Sequence, residues 1–188
     1  MKQSLGPAAL AFPLPACLIG TYDAAGRPNI MTAAWTGIVC SEPPLLAVGI
    51  NTGRLTNEAI KRNKAFTVSY PSSKMAVKVD FAGLVSGRDQ DKFAKAGLTA
   101  GTSPLVAAPY VEECPVVSLC RLTQLLELGS HTLFIGEILD VLAEEGLKSP
   151  AGGLDMAKVD PLVFNAGGQY HKAGEPLGKA FSIGLALK

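Results

Sequence analysis

The sequence predicts a mainly β domain: a small closed or partly closed barrel of roughly five to seven strands with short helices between them. Three observations carry that expectation. Twenty Gly and thirteen Pro punctuate the 188 residues and aromatics are only 6%, which favours short strands and turns over a helical bundle. Apolar runs of strand length recur between Gly/Pro-rich turns. Helices do not alternate regularly with strands, and no G-x-G-x-x-G follows the first strand, which disfavours a doubly wound fold. A mixed open sheet is the alternative architecture.

Taken in order, Cys17 to Tyr22 and Asn29 to Trp35 are strand-like runs joined by the hairpin loop Asp23-Ala24-Ala25-Gly26-Arg27-Pro28. After the turn Ser41-Glu42-Pro43-Pro44 comes Leu45 to Ile50, and Thr52-Gly53-Arg54 then leads into a short helix, Thr56 to Asn63, for which Thr56 is the expected cap. Ala65 to Tyr70 is the next strand. Lys74 to Phe81 and Asp91 to Ala96 have helical composition, and Gly97 follows the second in the left-handed position that ends helices. Val116 to Leu128 and Thr132 to Leu142 flank Gly129-Ser130 as a long hairpin, and Leu162 to Asn165 is the last expected strand. Residues 166–188 read as a Gly-rich arm over the body or over a partner subunit. With no repeat and no composition shift, residues 1–188 form one domain.

Composition excludes several function classes. Apolar residues at 48% against 18% charged are enough to build a core, so the chain is not disordered. Seventeen Lys+Arg against sixteen Asp+Glu leave a net charge of +1, too weak a field for a nucleic-acid partner. No stretch reaches the about 18 apolar residues of a membrane helix. Leu5 to Gly20 is uncharged and ends near a loose lipoprotein-like box, Leu14 to Cys17. Pro7, Pro13 and Pro15 break it, so a cytoplasmic protein is expected. Cys17, Cys40, Cys114 and Cys120 show no C-x-x-C and no zinc spacing with His131 or His171, and are expected as reduced core residues with no metal.

The run Asn29-Ile30-Met31-Thr32-Ala33-Ala34-Trp35-Thr36-Gly37 places small and hydroxyl residues where bulky ones are usual. A flat ligand laid there would meet backbone amides, the Thr32 and Thr36 hydroxyls and a Trp35 wall. A closely packed neighbouring strand is the plain alternative. Arg54 and Thr56 join a fixed charge to a hydroxyl and helix N-terminal amides, which suits a phosphate, although a surface Arg and a Thr helix cap are the ordinary explanation of these residues taken alone. Ser86-Gly87-Arg88 with Lys92 offers a second anion-contacting loop, against which Asp89 and Asp91 argue. His131 stands at the long hairpin's turn, as either a surface residue or a rim proton donor. No cysteine has an activating context.

In order, Asn29-Ile30-Met31-Thr32-Ala33-Ala34-Trp35, Arg54-x-Thr56-Asn57, Ser86-Gly87-Arg88 with Asp91-Lys92-Phe93, and His131-x-x-x-Ile135-Gly136-Glu137-Ile138 resemble the flavin reductase-like family with the FMN-binding split-barrel fold, most of all its flavoredoxin branch. The similarity spans roughly residues 15–170 and rests on several weak motifs in a fixed order. It implies a homodimer of six-stranded, Greek-key-like barrels binding FMN at or near the subunit interface. By that resemblance Asn29, Met31, Thr32 and Ala33 run along the isoalloxazine and ribityl chain with Trp35 beside them. Arg54 and Thr56, with Asn57 next to them, hold the phosphate, and Ser86, Gly87 and Lys92 reach the cofactor from its other side. His131, the catalytic candidate, stands where a nicotinamide docks. The implied activity is hydride transfer from NADH or NADPH to flavin, with the nicotinamide bound transiently because no dinucleotide motif is present. The alternative is an FMN electron carrier between redox proteins.

Overall fold

The computed structural model describes residues 1–149 and 152–187. A short strand β1 (Leu14–Pro15) precedes β2 (Cys17–Tyr22), and β3 (Pro28–Ala33) returns antiparallel beside β2. The expected turn forms because the Asp23 carboxylate accepts from the backbone N–H of Ala25 at 2.8 Å and of Arg27 at 2.9 Å. Trp35 lies beyond β3 rather than within it.

The strand β4 (Thr36–Ser41), absent from the sequence expectation, pairs with β5 (Pro44–Asn51). Helix α1 (Leu55–Asn63) follows, and its cap corrects the sequence reading. Arg54, in extended conformation, occupies the cap position without a side-chain cap bond, while Thr56 is buried in the first turn. Next come β6 (Ala65–Tyr70), helix α2 (Ala76–Leu84) and helix α3 (Lys92–Ala96). Asp91, expected within α3, instead caps it by accepting from Ala94 N–H at 3.0 Å, and Gly97 ends the helix at φ 57° as expected.

A small ribbon, β7 (Ala100–Gly101) with β8 (Tyr110–Val111), leads to the long hairpin of β9 (Val116–Glu127) and β10 (His131–Ala143). His131 begins β10 rather than sitting in the turn, and the β5–β10 register sets it opposite Asn51. After α4 (Met156–Val159), strand β11 (Leu162–Asn165) is followed by β12 (Gln169–Lys172). The Gly-rich arm therefore contributes a strand, and β11 is not the last.

Seven antiparallel strands form the main sheet in the order β3-β2-β6-β9-β10-β5-β4. Six of them, from β3 to β5, curl round one apolar interior. Ile19 of β2, Met31 and Ala33 of β3, Val48 and Ile50 of β5, and Phe134 of β10 share a single buried cluster with Phe66 of β6. Each fully buried Phe contributes roughly 1.5–3 kcal/mol of transfer free energy. The opposite faces of β2 and β3 pack Leu18 and Ile30 against α2 and α3, where Val79, Ala82 and Phe93 are buried. The ladder does not close, since β3 is an edge strand of the sheet although it shares the interior with β5. The barrel is split along that seam.

Three cysteines meet the core expectation. Cys17, Cys114 and Cys120 are buried and unpaired, and burial raises all three thiols, Cys17 and Cys120 to about 12. Cys40 on β4 corrects it, being only half-buried.

Candidate functional site

A continuous cleft follows the seam. β3 is paired with β2 along one edge only, so its other edge offers backbone groups that no strand among the described residues takes. Small side chains at Ala33 and Ala34 leave that edge approachable. An aromatic lobe of about 180 Å³ lies between β3 and β5, lined by Met31, Ala33, Trp35, Gly49, Asn51 and His131 among others. A cationic lobe of about 110 Å³ continues from it, with Met31 and Arg54 lining both. A third lobe of about 290 Å³ opens behind the second, which it meets at Asn29, Gly87 and Arg88.

The aromatic lobe is held by backbone pairing. Gly49 N–H donates to the Trp35 carbonyl at 2.8 Å, which lays the Trp35 side chain over a residue that has none of its own. The Trp35 and His131 rings stack with centroids 4.6 Å apart and planes at 35°. Ser130 Oγ lies 2.9 Å from His131 Nδ1, so Nε2 is the ring nitrogen left for another partner. Thr32 and Thr36 line this part of the chain, but both hydroxyls are already committed. Thr32 donates to the Val79 carbonyl of α2, and Thr36 donates to the Ala47 carbonyl at 2.9 Å.

The cationic lobe carries positive charge without an anion. Its lining residues include Arg54, Arg88 and Lys92 and no carboxylate. Arg88 is engaged elsewhere, with Glu58 at 2.6 Å and the Gly53 carbonyl at 3.2 Å. Arg54 forms no ion pair with a carboxylate among the described residues. Lys92 is 3% exposed, and its Nζ donates to the Ala82 carbonyl at 2.8 Å. Burial, and then the positive charge of Arg54, lower the Lys92 pKa to about 8. Arg54 is exposed at the mouth of the lobe, whereas the buried Lys92 charge, with no carboxylate beside it, is costly unless a ligand neutralises it.

Asn29 shows the same incompleteness. It is 4% exposed, its Nδ2 donates to Thr56 Oγ1 at 3.3 Å, and its Oδ1 is buried without a partner. A Cβ at Gly87 would stand 2.0 Å from that oxygen, so this loop position must be Gly for the wall to form. Ser86 lines the lobe beside it.

Eleven of the twelve expected site residues are thus brought together: Asn29, Met31, Thr32, Ala33, Trp35, Arg54, Thr56, Ser86, Gly87, Lys92 and His131 line the adjoining lobes. Asn57 does not. Its Nδ2 donates to the Ile50 carbonyl at 3.1 Å and ties α1 to β5. Gly49 and Asn51 lie outside the sequence expectation, because pairing of β5 with the Trp35 backbone on one side and with β10 on the other carries them to the cleft.

A split antiparallel barrel whose open seam runs from an aromatic stack to an unneutralised cationic end defines a binder of a flat ligand with an anionic tail. The chain belongs to the flavin reductase-like family. Residues 9–174 match that family's model, described as a flavin reductase like domain. Flavoredoxin of Desulfovibrio vulgaris (Miyazaki F) superposes with a TM-score of 0.92 at 46% identity, over 98% of this chain and 100% of that one. Flavoredoxin from Methanosarcina acetivorans superposes at 0.89 with 32% identity over the whole of both chains. The NADH:riboflavin 5'-phosphate oxidoreductase of Streptomyces pristinaespiralis is 28% identical over 79% of this chain and 81% of its own length. The mainly β split-barrel fold and the flavin reductase-like family expected from the sequence are those of this chain.

Proposed function

We propose that the seam cleft binds FMN and that the protein is an FMN-dependent oxidoreductase reduced by NADH or NADPH. The observation that carries this reading is the single cleft joining a free strand edge and an aromatic stack to Arg54 and buried Lys92, neither of which has a carboxylate partner among the described residues. A phosphate between those two cations would neutralise both. The Ser86–Gly87 loop and Asn29 would close on the sugar-phosphate chain. Backbone groups of Met31 to Ala34 would face the ring.

Bound FMN supplies a centre able to take up a hydride and pass electrons on. The chain's own residues do the positioning. His131, fixed by Ser130 on one nitrogen and by Trp35 on one face, orients the nicotinamide over the open side of the aromatic lobe. The buried thiols are not needed, since burial holds them protonated. The second reading, a carrier that holds FMN and exchanges electrons with protein partners, is favoured by the 46% identity to a flavoredoxin across 98% of the chain. In either case the protein works as a homodimer in the cytoplasm. Exposed Ile38 and Val39 on the edge strand β4, next to Trp35, support a covering second copy, and the unpaired cysteines support a reducing compartment.

An anaerobic visible spectrum taken before and after NADH, then NADPH, then dithionite separates the readings. Bleaching by a nicotinamide identifies the reductase, and bleaching by dithionite alone identifies the carrier. A protein that retains no flavin after FMN is added and excess removed rejects both. In a reductase, His131→Ala slows reduction by NAD(P)H more than it weakens FMN binding, and equal losses would reject the role given to His131.

A further inference from the structure

The lobe behind the cationic end has the opposite charge character. Asp23, Asp89 and Asp91 line it, together with Arg27 and Arg88. Both guanidinium groups are committed to carboxylates, Arg27 Nε to Asp23 at 2.8 Å and Arg88 Nη2 to Glu58 at 2.6 Å. Asp89 forms no ion pair among the described residues, and Asp91 accepts only from Ala94 N–H at the start of α3. The two lobes share the wall made by Gly87 and Asn29, whose buried Oδ1 lacks a partner. Any ligand that runs on past the cationic end therefore enters space edged by the Asp89 and Asp91 carboxylates.

We propose that Asp89 and Asp91 set the length of flavin the protein accepts, admitting a terminal phosphomonoester and excluding the pyrophosphate-linked dinucleotide. The proposal rests on the FMN reading above. A phosphomonoester has a second ionisation near pH 6 and is close to a dianion at neutral pH, which matches the two charges of Arg54 and Lys92. A pyrophosphate diester instead carries one charge on each phosphorus. It leaves the cationic end under-neutralised and pushes its second charge toward Asp89 and Asp91, where like charges repel. The lobe is large enough to hold that second phosphate, so selection is by charge rather than by steric closure.

The test is a comparison of FMN, FAD and riboflavin affinities for the apo-protein, the Asp89→Asn/Asp91→Asn pair and Asp89→Lys. Asn at both positions keeps the size of the side chains and remains a good helix cap at 91. The wild type should prefer FMN to FAD. Both variants should raise FAD affinity more than FMN affinity, bringing the two about tenfold closer, and added salt should narrow the wild-type preference. An unchanged FMN-to-FAD ratio in both folded variants, or equal wild-type affinities, would overturn the proposal. Failure of all three flavins to bind would instead reject the FMN reading itself, so the two failures are distinguishable.

Discussion

At the scale of single residues, Lys92 has the most distinctive physical chemistry in the cleft. Its proton is destabilised by burial and by Arg54, and a phosphate would restore it. In the apo-protein the folded pKa of about 8 lies below the ordinary value of 10.5, so the penalty for burying the charge applies in full below pH 8. It is relieved as the pH rises from about 8 toward 10.5, and apo stability should rise across that window. Binding has the opposite sign. FMN affinity should fall above pH 8, by up to about tenfold per pH unit, while riboflavin affinity stays flat. Fluorescence titration across pH checks this, and the slope should vanish in Lys92→Met. Arg54→Ala should lower the FMN-to-riboflavin affinity ratio at every pH. Arg54 and Lys92 were each legible as a candidate anion contact because residue type and position at a helix start are local features, whereas only the fold brings the two together. Asn57 was not, because residues adjacent on a helix point about 100° apart, so Thr56 faces the cleft while Asn57 faces β5.

At the scale of elements, the Ser86–Gly87 loop and β3 form one unit, joined where Gly87 passes the Asn29 side chain. Gly87→Ala places a Cβ against Asn29 Oδ1 and Cγ, 2.0 and 2.8 Å away, with Leu55 Cδ2 at 3.1 Å. The loop must then move off the wall. Flavin affinity should drop at least tenfold, with a stability loss of about 1–3 kcal/mol in a thermal melt. An Asn29→Ala/Gly87→Ala pair should recover part of the stability and none of the affinity. The same scale explains which strands could be read. Strands β2, β5 and β6 carry apolar runs buried in the interior and were placed to within a residue or two. Strand β4 escaped because it runs along the sheet's edge with Ile38 and Val39 outward and a register shift before Cys40, so neither alternation nor a continuous buried run marks it.

For the whole molecule, the seam and its surroundings are unfinished. Trp35, Ile38 and Val39 are 46%, 63% and 56% exposed beside the cleft, and Leu126 and Leu128 are exposed at the end of the long hairpin. Sedimentation equilibrium should give twice the mass of the chain, and Ile38→Asp/Val39→Asp should shift it toward the monomer while weakening FMN binding. A dimer unaffected by those substitutions would place the interface elsewhere. The barrel itself was foreseeable from turn spacing and strand-length runs. Its splitting was implied by the family resemblance and not by the turn spacing, because strand closure depends on the long-range register of β5 on β10 and on the pairing of β3 with β2 alone among the described strands.

The chain has one tryptophan, and the fold sets it against His131 in the aromatic lobe. Its ultraviolet emission therefore comes from a single known place, within energy-transfer range of whatever chromophore lies along the seam. Occupancy, exchange and loss of the ligand can each be followed as quenching or recovery of that one signal, with no label added to the protein.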